Sequence, residues 1–108
     1  MVPSKNLDIQ AYESHIRAFC EKWRIVKLSL FGSVLRTDFS DASDIDALAS
    51  FSPEADWSLL DHIQMEQELK ALFGRDVDLV SRRGLEQSRN SLRRQAILES
   101  AEPIYVAR

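Results

Sequence analysis

Ile25-Val26-Lys27-Leu28-Ser29-Leu30-Phe31-Gly32-Ser33, followed after a polar stretch by Ser43-Asp44-Ile45-Asp46-Ala47-Leu48, decides how this 108-residue chain is read. The first segment is rich in β-branched and apolar residues and reads as a strand that stops where Gly32-Ser33 turns the chain. Ser33 to Thr37 reads as a short helical turn, and Asp38 to Ser43 as a loop of Asp, Ser and Ala. Ile45 to Phe51 reads as a second short strand ended by Pro53.

Outward from this centre the apolar spacing changes period. Ile9, Tyr12, Ile16, Phe19 and Trp23 recur at steps of three and four, the stripe of an amphipathic helix, with Asn6 or Asp8 as candidate caps. Asp56 is placed to cap a helix from Trp57 to about Phe73, with Leu59, Leu60, Ile63, Leu69, Leu72 and Phe73 on its buried face. Gly74 stands where a helix-ending glycine is expected. Asp76-Val77-Asp78-Leu79-Val80 reads as a third strand, Leu85 to Ala101 as a last helix, and Pro103 to Val106 as an extended end. No repeat, low-complexity stretch or linker interrupts the chain, so residues 1–108 are expected to form a single domain. Helices separate most strands, which predicts an α/β (α+β) class: a small mixed β-sheet with helices packed on it.

Composition narrows the function. Hydrophobic residues make up 44% and charged residues 29%, the balance of a folded globular domain. The net charge is −3 and the pI about 5.3, which argues against a protein that neutralises the phosphates of duplex DNA. The single cysteine, Cys20, excludes an intrachain disulfide and a Cys-based zinc site, and its place in the first helix predicts a half-buried thiol. His15 and His62 have no ligand spacing and read as surface or boundary residues. The polar start Met1-Val2-Pro3-Ser4-Lys5 lacks an apolar h-region, and no apolar run reaches the length of a membrane span, so a cytoplasmic protein is expected.

Three features carry chemistry. Gly32 lets the backbone turn sharply and come close to a ligand. A helical turn starting at Ser33 would offer free N–H groups and a hydroxyl to a phosphate, with Arg36 on the same side. Asp44 and Asp46, two apart on a strand, project together, with Ile45 and Leu48 facing elsewhere. Carboxylates that close repel each other, and a hard cation such as Mg²⁺ relieves the conflict while taking substrate phosphates as further ligands. Asp78 lies in an otherwise apolar strand. If that strand lies beside the second, Asp78 joins Asp44 and Asp46 in a three-carboxylate cluster suited to two metal ions. Parity alone leaves Asp76 as an alternative to Asp78. Each feature has a plainer counterpart: a common strand turn, a solvated acidic loop end, a half-exposed strand. An EF-hand is excluded, because the required Gly and Glu positions have no match.

Together, Phe31-Gly32-Ser33-Val34-Leu35-Arg36 and Ser43-Asp44-Ile45-Asp46-Ala47-Leu48 resemble the GSxxR…SDxD signature of the DNA polymerase β-like nucleotidyltransferases. Val77-Asp78-Leu79-Val80 is similar to their strand bearing a third carboxylate. The stretch from Leu92-Arg93-Arg94 to Ile104-Tyr105 is similar to the end of the short, single-domain (minimal) members. The resemblance implies a polymerase β-like fold with Asp44, Asp46 and Asp78 as catalytic, metal-binding carboxylates. It implies Gly32, Ser33, Arg36 and Ser43 at the nucleotide's phosphates, two Mg²⁺ ions with bound nucleotide, and ATP as substrate. Short members commonly sit beside a helical HEPN-type toxin as its antitoxin, and some transfer AMP to a hydroxyl of that partner. Two other functions are weighed beside it: a non-catalytic antitoxin module acting by complex formation, and transfer to a small-molecule hydroxyl. Leu35 and Thr37 depart from the Ala and Gly that often flank the motif's arginine. With no residues left for a second domain, positioning of the acceptor is expected from a bound partner or from a second copy of the chain.

Overall fold

A computed structural model of the chain describes residues 9–32 and 44–107. Four strands form one sheet in the order β3-β2-β1-β4, from β1 (Ile25–Phe31), β2 (Ile45–Phe51), β3 (Val77–Ser81) and β4 (Glu102–Val106). β1 pairs antiparallel with both β2 and β4, whereas β2 and β3 run parallel, so the sheet is mixed and the fold α+β. The helices are α1 (Glu13–Lys22, after a 3-10 turn over Ile9–Tyr12), α2 (Leu59–Phe73), α3 (Arg82–Glu86) and α4 (Ser91–Ser100).

Strand alternation divides the apolar side chains between two layers. Leu28, Leu30, Ile45, Ala47, Ala49 and Leu79 face the main core, which α1 closes with Ile16, Phe19 and Cys20 and α2 closes with Met65, Leu69 and Phe73. Phe31 and Leu48 face the other way and meet Leu85 of α3 and Ile97 of α4 in a smaller cluster. β1 is central, and its last four residues, Leu28 to Phe31, are buried on both faces, while Val26 and Lys27 are exposed. Leu48 therefore shares a face with Asp46, contrary to the sequence expectation. Both are even-numbered on one strand, and only Ile45 turns away.

α2 differs most from its sequence reading. Its cap is Ser58, not Asp56: the Ser58 hydroxyl accepts from the Asp61 N–H at 3.2 Å, and the Asp61 carboxylate accepts from the Ser58 N–H at 2.9 Å. This reciprocal box is worth about 1 kcal/mol. Leu59, Leu60 and Ile63 are solvent-facing, with Leu59 and Leu60 74% and 77% exposed. The buried stripe is Met65, Leu69 and Phe73, four apart, and the three early apolar residues lie on the opposite arc. Gly74 ends the helix at φ 72°, as its position predicts. The last helix is two helices, because Asn90 caps α4 through the Arg93 N–H at 3.0 Å and Ser88 bonds the Asn90 N–H. These side chains compete with helical bonding in between. Arg89 consequently lies in the turn. The candidate caps Asn6 and Asp8 lie outside the described residues.

Cys20 is fully buried rather than half-buried; burial, and secondarily the Glu21 carboxylate, push its thiol up to about 12, so it is inert as a nucleophile. Glu68 ties α1 to α2, accepting from Lys22 Nζ at 2.6 Å, Trp23 Nε1 at 2.9 Å and Gln64 Nε2 at 3.0 Å. Burial pushes its carboxyl up, but these three donors outweigh it and the net shift is downward. A carboxyl depressed in the folded state binds protons more readily once unfolded. Its stabilisation is therefore complete at neutral pH and lost as pH falls through the depressed value. Glu68→Gln is expected to cost about 1 kcal/mol at pH 7. In urea titrations across pH, the gap from the native chain should close below the ordinary carboxyl range. A gap that stays constant down to pH 2 would show that the charge of Glu68 is irrelevant.

Candidate active site

The ends of three strands meet at one edge of the molecule. β1 ends at Phe31, paired with Asp46 near the start of β2, and Asp46 is in register with Asp78 on β3. Adjacent strands place such paired residues about 5 Å apart. Asp46 is half-buried, while Asp44, one residue before β2, and Asp78 are exposed. Alternation puts Asp46 and Asp78 on the face of Phe31, Leu48 and Val80, where α3 and α4 cover only part of the sheet. Asp44 and Asp46 both take part in polar or electrostatic contacts.

Gly32 is built into this edge. Its φ is 78°, a left-handed conformation that side chains rarely adopt, and a Cβ there would run into the Asp46 carboxylate. The group that approaches this glycine is thus a carboxylate of the chain itself.

Asp76 and Asp78 have different surroundings. Asp76 precedes β3, accepts the Ile45 N–H through its backbone carbonyl at 2.9 Å, and pairs through its carboxylate with Lys70 Nζ of α2 at 2.9 Å. Asp78 occupies the register position beside Asp46. Among the described residues, no three Asp, Glu, His or Cys side chains gather closely enough to hold a metal ion as they stand. The donors at this edge are nevertheless all carboxylate oxygens, the set that a hard divalent cation takes, and Gly32 leaves the Asp46 carboxylate the space it occupies. Ser33, Arg36 and Ser43, the expected phosphate ligands, lie outside the described residues, as do Leu35 and Thr37.

The arginines at the C-terminal end have mostly local partners. Arg94 donates to the Ser88 carbonyl at 2.7 Å, and Arg82 lies 3.6 Å from Glu86, while Arg89 and Arg93 are exposed. A concavity of about 320 Å³, lined by Phe51, Trp57, His62, Ser81 and Arg83 among others, lies at the far end of β2 from Asp44 and Asp46.

A nucleotidyltransferase domain model matches residues 13–103, from the start of α1 to the second residue of β4. The chain belongs to the nucleotidyltransferase domain family. Within this nucleotidyltransferase family it is 36% identical over 72 residues to the protein adenylyltransferase MntA of Thermococcus cleftensis, covering 67% of this chain and 71% of that one. A solved structure described as a minimal nucleotidyltransferase superposes with a TM-score of 0.68 at 31% identity, covering 92% of this chain and 98% of the other. A solved complex of a tri-AMPylated Shewanella oneidensis HEPN toxin with its MNT antitoxin superposes with a TM-score of 0.63, covering 93% of this chain and 74% of that one. At 20% identity it shows a shared nucleotidyltransferase fold.

His62, expected at the surface or boundary, and Glu66, which the sequence analysis does not single out, both reach the backbone of β3. His62 is half-buried, with Nε2 2.7 Å from the Leu79 carbonyl oxygen, and Glu66 accepts the Leu79 N–H at 2.8 Å. The available signal was the i, i+4 His–Glu spacing on α2. His15 is exposed, as expected.

Proposed function

We propose that the chain catalyses Mg²⁺-dependent transfer of AMP from ATP to a hydroxyl of a partner protein, as the antitoxin of a HEPN-type toxin. The observation that carries this reading is the register of Asp46 beside Asp78, with Gly32 shaped around the Asp46 carboxylate. Family membership, the relative named as a protein adenylyltransferase and the shared fold with an antitoxin bound to an AMPylated toxin support it.

In this reading Asp44, Asp46 and Asp78 hold the divalent ions. When bound, the ions would supply positive charge to the triphosphate; the acceptor oxygen bonds to the α-phosphorus, the bond from it to the β-phosphate oxygen breaks, and pyrophosphate leaves. Asp78, exposed at an edge strand, takes the acceptor's proton. Gly32 and Ser33 receive phosphate oxygens, joined by Arg36 and Ser43. Among the described residues no helix is long and apolar enough to cross a membrane, which suits a cytoplasmic enzyme.

The test is transfer from α-labelled ATP. With Mg²⁺ and a purified HEPN-type protein, label should move to that protein, and a chelator should abolish the transfer. Neutralisation of the toxin without label would make the chain a binding module. Label on small hydroxyl compounds alone would make it a small-molecule nucleotidyltransferase.

A further inference from the structure

We infer that His62 and Glu66 of α2 are positioning residues that set Asp78 against Asp46, an inference that rests on Asp78 being a metal-binding carboxylate. β3 is an edge strand, bonded on one side only, to β2. In a parallel pair, alternate residues send both backbone groups to the same side. The Ile45 N–H bonds the Asp76 carbonyl, so Leu79, three residues later, sends its N–H and C=O away from β2. Both are taken up by one helix: Glu66 Oε2 accepts the N–H at 2.8 Å, and His62 Nε2 stands 2.7 Å from the carbonyl. His62 and Glu66 are 3.9 Å apart, one turn from each other, with side chains 29% and 28% exposed. His62 Nε2 meets an acceptor, so it carries the proton there. The Leu79 side chain is buried in the main core, so this residue is held through its side chain and both backbone groups.

The clamp has a mechanical purpose. Like charges on paired residues of adjacent strands repel. Asp46 lies on β2, which is bonded on both sides, whereas Asp78 lies on an edge strand next to Leu79. Repulsion therefore acts mainly to shift β3. Apolar contact with α2 would let the strand slide, because dispersion is weakly directional, while two hydrogen bonds to one residue fix its depth and rotation. The same bonds close β3 to pairing with foreign strands. The opposite edge needs no such cap, since β4 carries Pro103 and a register shift beside Leu28 and Ser29.

The test uses Mn²⁺ as probe, titrated by electron paramagnetic resonance into the full chain with and without a non-hydrolysable ATP analogue. Glu66→Ala and His62→Ala should weaken Mn²⁺ binding by about tenfold, the usual effect of residues that orient a ligand. The affinity for the metal-free analogue should stay unchanged. Glu66→Gln, whose amide oxygen can accept the same N–H, should restore Mn²⁺ affinity, and it also serves if the alanine variants melt too low. Glu68→Gln, on the same helix away from β3, controls for lost stability and should bind Mn²⁺ normally. If Glu66→Ala melts earlier yet binds Mn²⁺ like the native chain, while Asp78→Asn does not, the clamp is structural only and the inference fails alone. If Asp78→Asn itself binds Mn²⁺ normally, the reading of Asp78 fails and the inference falls with it.

Discussion

Asp44→Asn and Asp46→Asn are each expected to slow AMP transfer by about 10³-fold, the equivalent of roughly 4 kcal/mol in the barrier. Asparagine keeps the shape of aspartate and one carbonyl oxygen but loses the negative charge that draws a hard cation. The fold should survive both changes. Asp44 is exposed and outside the strand, and Asp46 faces Asp78 across β2 and β3, where one fewer like charge helps pairing by a few tenths of a kcal/mol. Melting temperature should therefore change little while turnover collapses, the opposite order to a core defect. Single-turnover transfer and thermal unfolding on the same preparations decide it. An Asp46→Asn chain that transfers AMP within threefold of the native rate would remove the carboxylate pair from the mechanism. A chain that fails to transfer but still neutralises its partner would favour complex formation.

The part of the site legible in the sequence was the part written in strand periodicity. Asp46 and Asp78 sit in segments whose apolar neighbours fix which side is buried, so their common face followed once the two strands lay side by side. Register was harder. Parity gave Asp76 and Asp78 equal standing and the family resemblance favoured Asp78; in the fold Asp76 pairs with Lys70, while Asp78 lies in register with Asp46. Misreadings cluster where short polar side chains bond the local backbone. Ser58 with Asp61 outcompeted Asp56 for the start of α2, and Ser88 with Asn90 split one expected helix into two. Leu59, Leu60 and Ile63 are apolar, which predicts core positions, yet the arc they occupy faces solvent. The i, i+4 spacing of His62 and Glu66 places them on one face of α2, but their target is the backbone of Leu79, and side-chain patterns say nothing of where a main-chain group finds its partner.

Gly32→Ala is expected to cost at least about 100-fold in transfer and about 2 kcal/mol in stability, through two separate causes. The first is backbone strain: at φ 78° a Cβ meets its own carbonyl environment, costing about 1–2 kcal/mol wherever it occurs. Gly74, at φ 72° with open space around it, isolates that term, so Gly74→Ala should lose stability and keep full activity. The second belongs to Gly32 alone. Its added methyl would meet the Asp46 carboxylate, the end of a short side chain on a strand bonded on both sides, so the carboxylate must swing or the turn must shift. A displacement near 1 Å in a ligand-orienting group typically costs about 100-fold in rate. The two glycine variants, melted and assayed side by side, therefore separate strain from collision. A loss of stability at position 32 at least as large as at position 74, with activity lost only at position 32, would support a Gly32 that leaves room for the Asp46 carboxylate. Equal activity in both would mean that the methyl is absorbed without moving the carboxylate, and that Gly32 serves only the turn.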